Sequence, residues 1–204
     1  MQNLRYNKNN MINLPLKPQY VLPPLCLMLI STLFAAFNLN DYLEFNRNLV
    51  ADGEFWRIFT SQFVHANWPH LALNCAGILL IWALHAEHTS PARYAFNTAV
   101  LALWCGLGVW LFCPDIKIYT GLSALLHGVI IWGAVKDVQA GMLSGWLLFI
   151  GTWAKVVWEQ VAGPSESVSQ LIASNVAIDA HFIGAVGGTV LALPVLIKVI
   201  KHRE

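Results

Sequence analysis

Six stretches of the chain are almost wholly apolar: 21–37, about 68–86, 94–113, 122–138, 142–161 and about 176–200. Each reaches about 17 residues or more, the short end of what an α-helix needs to cross roughly 30 Å of hydrocarbon. None alternates with period two over many short segments, which excludes an outer-membrane barrel. The pattern predicts an all-α polytopic membrane protein with six transmembrane helices. The fourth is short, because Lys136 and Asp137 already mark its end. The first run resembles a secretory signal with Ala35-Ala36 as cleavage site, but five further spans make it an anchored helix. No targeting tag, internal repeat or low-complexity tract is present.

Composition agrees: 57% hydrophobic against 11% charged, with a mean hydropathy of +0.56, where soluble domains run at about 45–50% and about 25%. The length allows one domain. Twelve Lys+Arg against eleven Asp+Glu leave no basic field for nucleic acid. Cys26, Cys75, Cys105 and Cys113 lie in or beside apolar runs without a C-x-x-C, and read as small hydrophobes rather than a zinc or redox motif. With both termini inside, Arg5, Lys8, Lys17, Arg93, Lys136, Lys198, Lys201 and Arg203 collect on the cytoplasmic side. Arg47, Arg57 and Lys117 fall outside, and Lys155 stands within the fifth span. This asymmetry favours cytoplasmic termini and makes spans two, four and six run from outside to inside.

Polar groups inside such spans are costly and mark function by default. His70 and Asn74 stand four apart near the start of span two, on one helical face. Ser123 opens span four after Gly121-Leu122, with His127 four residues on, and His181 stands about one turn into span six. Because these spans share a direction, the groups share a depth and form one site. Span four covers only about 25 Å at roughly 1.5 Å per residue, so Ser123 begins its helix beneath the outer surface. Residues 114–121 then dip inward as irregular backbone, which requires burial in protein or a water-filled cavity.

The types present suit acyl transfer. A serine hydroxyl needs a neighbouring base to become a nucleophile, and His181 supplies one. Unpaired N–H groups in the first turn of span four, together with Asn74 and His70, can stabilise an oxyanion. Asp179 lies about 200° around the helix from His181 and faces elsewhere. A Ser–His dyad without a triad carboxylate remains. Ala124 and Gly128 on span four, and Gly184 and Gly188 on span six, are small-x-x-x-small pairs that let the two backbones approach closely.

These residues together resemble the rhomboid family of intramembrane serine proteases. The resemblance rests on Trp56-Arg57, the H-x-x-x-x-H-x-x-x-N run of His65, His70 and Asn74, Gly121-Leu122-Ser123, and Ala180-His181 with Gly184 and Gly188, in the family's order. It implies a six-helix rhomboid-like bundle over 20–200, with a short central fourth helix and cytoplasmic segments 1–19 and 201–204. Ser123 would be the nucleophile and His181 the base, with His70, Asn74 and the Ser123 N–H around the oxyanion. Two departures stand out: Ala124 replaces the usual Gly after the serine, and His127 replaces a Tyr that stacks on the histidine. The compact length, the string from Gly121 to Gly128, and the run through Lys155, Trp158-Glu159-Gln160 and Gly163-Pro164 are most similar to the rhombosortase branch. That implies a bacterial inner-membrane enzyme with its site opening to the periplasm. Its substrates would be membrane-anchored exported proteins carrying C-terminal Gly-Gly transmembrane tails, with transfer to a lipid-related amine as a further step. No cofactor or metal is implied.

Each residue has a plainer role to be weighed. Ser123 alone would cap a helix, and Asn74 would glue helices together. His65 reads as a structural loop histidine, and His127 as packing under His181 or tuning it. Trp56-Arg57 read as an anchor at the headgroup layer, and His85, His88 and His202 as solvated. Lys155 and Glu159, an i, i+4 pair, read either as mutually neutralised or as Lys155 facing the pocket to hold an anion, a lipid phosphate or substrate carboxylate. The 162–176 segment, rich in Ser, reads as a flexible lid. One alternative is a rhomboid protease of other single-span proteins. The other is a non-enzymatic protein binding metal or haem through His65, His70, His127 and His181.

Overall fold

The computed structural model describes residues 14–173 and 175–201; Arg5, Lys8, His202 and Arg203, counted above, lie outside the described residues. Among them ten α-helices follow in order: α1 Pro18–Ala36, α2 Asn40–Leu43, α3 Arg47–Ala51, α4 Trp56–Thr60, α5 Trp68–His85, α6 Pro91–Phe112, α7 Ser123–Gln139, α8 Leu143–Ala162, α9 Glu166–Ile172 and α10 Ile178–Lys201. Four of these, α1, α5, α6 and α10, are long and apolar enough to cross a membrane. α7 has only 17 residues, and α8 carries Lys155 and Glu159 among its 20.

Local signals set the helix ends. The Asn67 side chain accepts from the His70 N–H and opens α5, with Pro69 in the first turn. Ser90 does the same for α6 through Arg93, so α6 begins before the apolar run does. α7 is the helix the others surround: α5, α6, α8 and α10 all pack on it. Ala124, Leu125, Gly128, Ile131 and Ala134 are fully buried or nearly so along its length. Leu29, Leu84 and Ile150, on the outward faces of α1, α5 and α8, are more than 45% exposed. An apolar exterior of this kind suits lipid as solvent.

The tightest joint is α7 against α10. A Cβ on Gly184 would stand 1.9 Å from the Ala124 carbonyl oxygen, and one on Gly188 would stand 2.2 Å from that of Gly128. Small residues therefore let the two backbones touch, and these contacts replace the hydrophobic drive that lipid cannot supply.

One short ladder interrupts the all-helical plan. β1, Phe45–Asn46, pairs antiparallel with β2, Ile118–Tyr119, with Phe45 opposite Tyr119 and Asn46 opposite Ile118. It ties the segment before α7 to the loop after α1. Of residues 114–121 only the end dips inward as expected: Tyr119 and Gly121 are buried, while Pro114, Asp115, Lys117 and Ile118 stay exposed, and 118–119 are strand rather than irregular backbone. Arg47 fastens the same region. Its guanidinium donates to the carbonyls of Val109, Trp110, Cys113 and Ile116, capping the C-terminal end of α6 with a cation.

Three sequence expectations change. Arg57 is no headgroup anchor; it is buried and donates to Glu54 and to the carbonyls of Glu44 and Asp41, bracing the loop from within. Trp56 stays exposed, its indole N–H on the Tyr42 carbonyl. His85 and His88 do not stand free in solvent, although His88 keeps part of its ring exposed. His85 is buried, and both rings meet Asp137 of α7, at 3.2 Å and 2.5 Å, joining the far ends of α5 and α7. The 162–176 segment holds the helix α9, which packs against α5 and buries Ile172.

Candidate active site

The starts of α5, α7 and α10 and the end of α8 meet at one end of the bundle. Ser123 is the first residue of α7, and no side chain caps that helix. Its Oγ instead lies 3.0 Å from Nε2 of His181, from a segment 58 residues away in the chain. The plain capping role therefore fails. His181 is 5% exposed and sits a single turn into α10, its N–H on the Ala177 carbonyl. The close α7–α10 joint is what brings the pair within reach, because Gly184 and Ala124 neighbour the two side chains.

The other face of the imidazole holds what the sequence missed. His181 Nδ1 lies 3.0 Å from Oε2 of Glu159, and the same oxygen is 2.8 Å from the Lys155 ammonium. Lys155 Nζ also reaches Nε2 of His127 at 2.9 Å, and His127 Nδ1 meets the Ser123 carbonyl at 2.7 Å. The His127 ring stacks on that of His181, centroids 4.3 Å apart and planes 22° from parallel. Ser123, His181, Glu159, Lys155 and His127 thus form a closed circuit on three helices. Depth was the available signal: Glu159 lies near the end of α8 and His181 near the start of α10, so both stand at the same end of the bundle. Which way α8 turns its face could not be read from one sequence.

On the opposite wall, α5 presents His70 and Asn74, both buried. The Asn74 amide donates to the His70 carbonyl within its own helix at 3.2 Å, not across to another. Gly121 lies against them, and its Cβ would sit 2.7 Å from His70 Nε2 and 3.6 Å from Asn74 Nδ2. Only glycine fits there, since its φ of +110° is also closed to side chains. The Gly121 N–H donates to Ser61 and its carbonyl accepts from Tyr119, fixing the approach to Ser123. His65 packs edge-on to His70 at 5.1 Å. Burial, with His70 beside it, pushes its imidazole down to about 3, so it stays neutral.

His70, Asn74, Ser123, His181, Lys155 and Glu159 all line one cavity of about 580 Å³ between α5, α7 and α8, with α9 at its rim. A smaller cavity of about 150 Å³, edged by Glu44 and Tyr119, touches Ser123 and His70 from the other side. The arrangement offers a hydroxyl on a base, and unpaired first-turn N–H groups with amide and imidazole donors nearby.

The histidines do not converge as a metal or haem set would. Among the described residues, donor atoms of His127, Glu159 and His181 lie within 4.8 Å of one another, with His65 and His70 outside the group. The Lys155 ammonium already holds the His127 and Glu159 atoms a cation would need. Two His and one Glu are donors of the kind zinc takes, and it is the ammonium bonded among them, not the donor types, that does not fit a resident cation.

Comparison with known proteins places these features. Uncharacterized protein Mb1372 of Mycobacterium bovis and Uncharacterized protein Rv1337 of Mycobacterium tuberculosis are each 28% identical over 153 residues, covering 72% of this chain. The chain spans 61% of the length of these curated relatives. Residues 52–198 match the family model of the Rhomboid domain. Since that match runs from the loop before α4 through α10 and takes in Ser123, His181 and the residues around them, the chain belongs to the rhomboid family, whose members are intramembrane serine proteases.

Proposed function

We propose that the protein is an intramembrane serine endopeptidase acting through Ser123 and His181, with His70, Asn74 and the Ser123 N–H around the oxyanion. The observation that carries this is the 3.0 Å contact between Ser123 Oγ and His181 Nε2. His181 takes the hydroxyl proton as Oγ bonds to the scissile carbonyl carbon. The tetrahedral oxyanion then collapses, the C–N bond breaks, and His181 returns the proton to the leaving amine. Water, or a lipid-related amine, next attacks the acyl-enzyme, losing a proton to His181 and restoring the serine.

On this reading 20–200 is a six-helix intramembrane domain with α7 as its short central span, flanked by cytoplasmic segments 1–19 and 201–204. It lies in the bacterial inner membrane with its site open to the periplasm. The substrates are exported proteins anchored by C-terminal Gly-Gly transmembrane tails, cut near the glycines. The cavity supports this choice: Leu73 and Gly77 of α5 face Leu147 and Gly151 of α8, an apolar corridor leading to polar groups. A helical tail can lie in such a corridor, and glycines let it unwind at Ser123. The alternative, a rhomboid protease of other single-span proteins, uses the same site and differs only in substrate.

Co-expression with an exported Gly-Gly-tailed protein tests both. Wild type should remove the tail and Ser123→Ala should leave it intact. Processing that survives Ser123→Ala contradicts the protease, and cleavage of a single-span reporter that lacks the Gly-Gly tail, with the tailed protein left intact, favours the alternative.

A further inference from the structure

Resting on that reading of Ser123 and His181, we infer that Glu159 is a third, positioning member of the site and that Lys155 sets its charge and place. The inference follows from what each group can donate. A Lys ammonium has no acceptor, so His127 Nε2, 2.9 Å from Lys155 Nζ, must be the bare nitrogen. His127 Nδ1 then carries the proton and donates to the Ser123 carbonyl at 2.7 Å. Glu159, ion-paired to Lys155 at 2.8 Å, only accepts, so His181 Nδ1 must carry the proton that it receives at 3.0 Å. That leaves His181 Nε2 bare toward Ser123 Oγ, the form a general base needs.

A competing arrangement exists within the same circuit. Lys155 Nζ lies 3.4 Å from His181 Nδ1 and, given a bare Nδ1, would donate to it. The proton would then sit on Nε2, and His181 could not deprotonate the serine. The shorter Glu159 contact decides against this. Without Glu159, Lys155 would face His181 with no carboxylate between them. It would favour the wrong tautomer and oppose the imidazolium formed when Ser123 gives up its proton. Glu159 is therefore more than a neutralising partner for Lys155.

The test uses the full chain in liposomes, with a Gly-Gly-tailed reporter and a serine-directed phosphonate. Glu159→Gln should lower kcat and the phosphonate labelling rate by about 10²–10⁴-fold. KM should stay within about twofold, because no substrate contact is lost. Glu159→Asp should recover part of the rate. The double variant Glu159→Gln/Lys155→Met should be faster than Glu159→Gln alone, since the unopposed ammonium is gone. Nitrogen NMR of the wild type should find His181 protonated at Nδ1 and bare at Nε2, whatever the variants' folding. A proton on Nε2, or Glu159→Gln labelling within threefold of wild type while Ser123→Ala is dead, overturns the inference and leaves the protease reading standing. Cleavage by Ser123→Ala overturns both. Lys155→Met raising KM at unchanged kcat would overturn the role given to Lys155 and favour an anion held by it.

Discussion

At the scale of single residues, the site depends on polar groups with few alternatives to the partners they have. His70 and Asn74 face Gly121 from one side, and either truncation to Ala should cost on the order of 10²–10³ in kcat if it removes an oxyanion donor. KM for the tailed reporter should change little. Gly121→Ala should do more damage than either, since its Cβ would enter the His70 ring and its φ is +110°. His65 gives a stability signature instead. The unfolded chain takes up a proton near 6.5, while burial holds the folded imidazole neutral down to about 3. Stability from this group is complete above about 6.5 and is lost as pH falls toward 3. Melting in detergent at pH 7 and pH 4.5 should therefore differ less in His65→Phe than in wild type. Ser123, His181, His70 and Asn74 were legible because each interrupts an apolar run, and shared depth forecast their meeting. Glu159 interrupts a run as conspicuously. Its bond to His181 was not legible, because pairing with Lys155 on its own helix satisfied it equally well on paper.

At the scale of elements, the joint between α7 and α10 sets the distance between Ser123 and His181, the proposed nucleophile and base. Gly184→Ala forces the helices apart at the Ala124 carbonyl, so cleavage should be lost along with about 1–3 kcal/mol of stability from overpacking. Gly151→Ala, with open space around its Cα, should leave stability unchanged or slightly raised. Arg47→Ala uncaps α6 and strands carbonyls that now share one guanidinium, a loss of about 2–3 kcal/mol read as a lower melting temperature. The helices themselves were written in hydropathy, and their ends in Asn67, Ser90 and the Pro residues beside them. The bracing by Arg47 and Arg57 was not, because a cation between two spans looks alike in sequence whether it meets headgroups or carbonyls.

At the scale of the whole molecule, the proposed orientation places Ser123 beneath the outer surface and both termini inside. A C-terminal alkaline phosphatase fusion should then be inactive and a fluorescent protein fusion bright; the reverse would invert the topology. The fold gives that orientation a purpose. On the proposed reading the smaller cavity would admit water to Ser123, and the larger one between α5 and α8 would take an apolar substrate helix. Ser123 and His70 line both cavities. The most direct measurement is the site of modification by a serine-directed phosphonate on the membrane-embedded protein, mapped by peptide mass spectrometry. The adduct should fall on Ser123 and vanish in His181→Ala. An adduct on another residue, or none while the tailed reporter is still cleaved, would contradict the account.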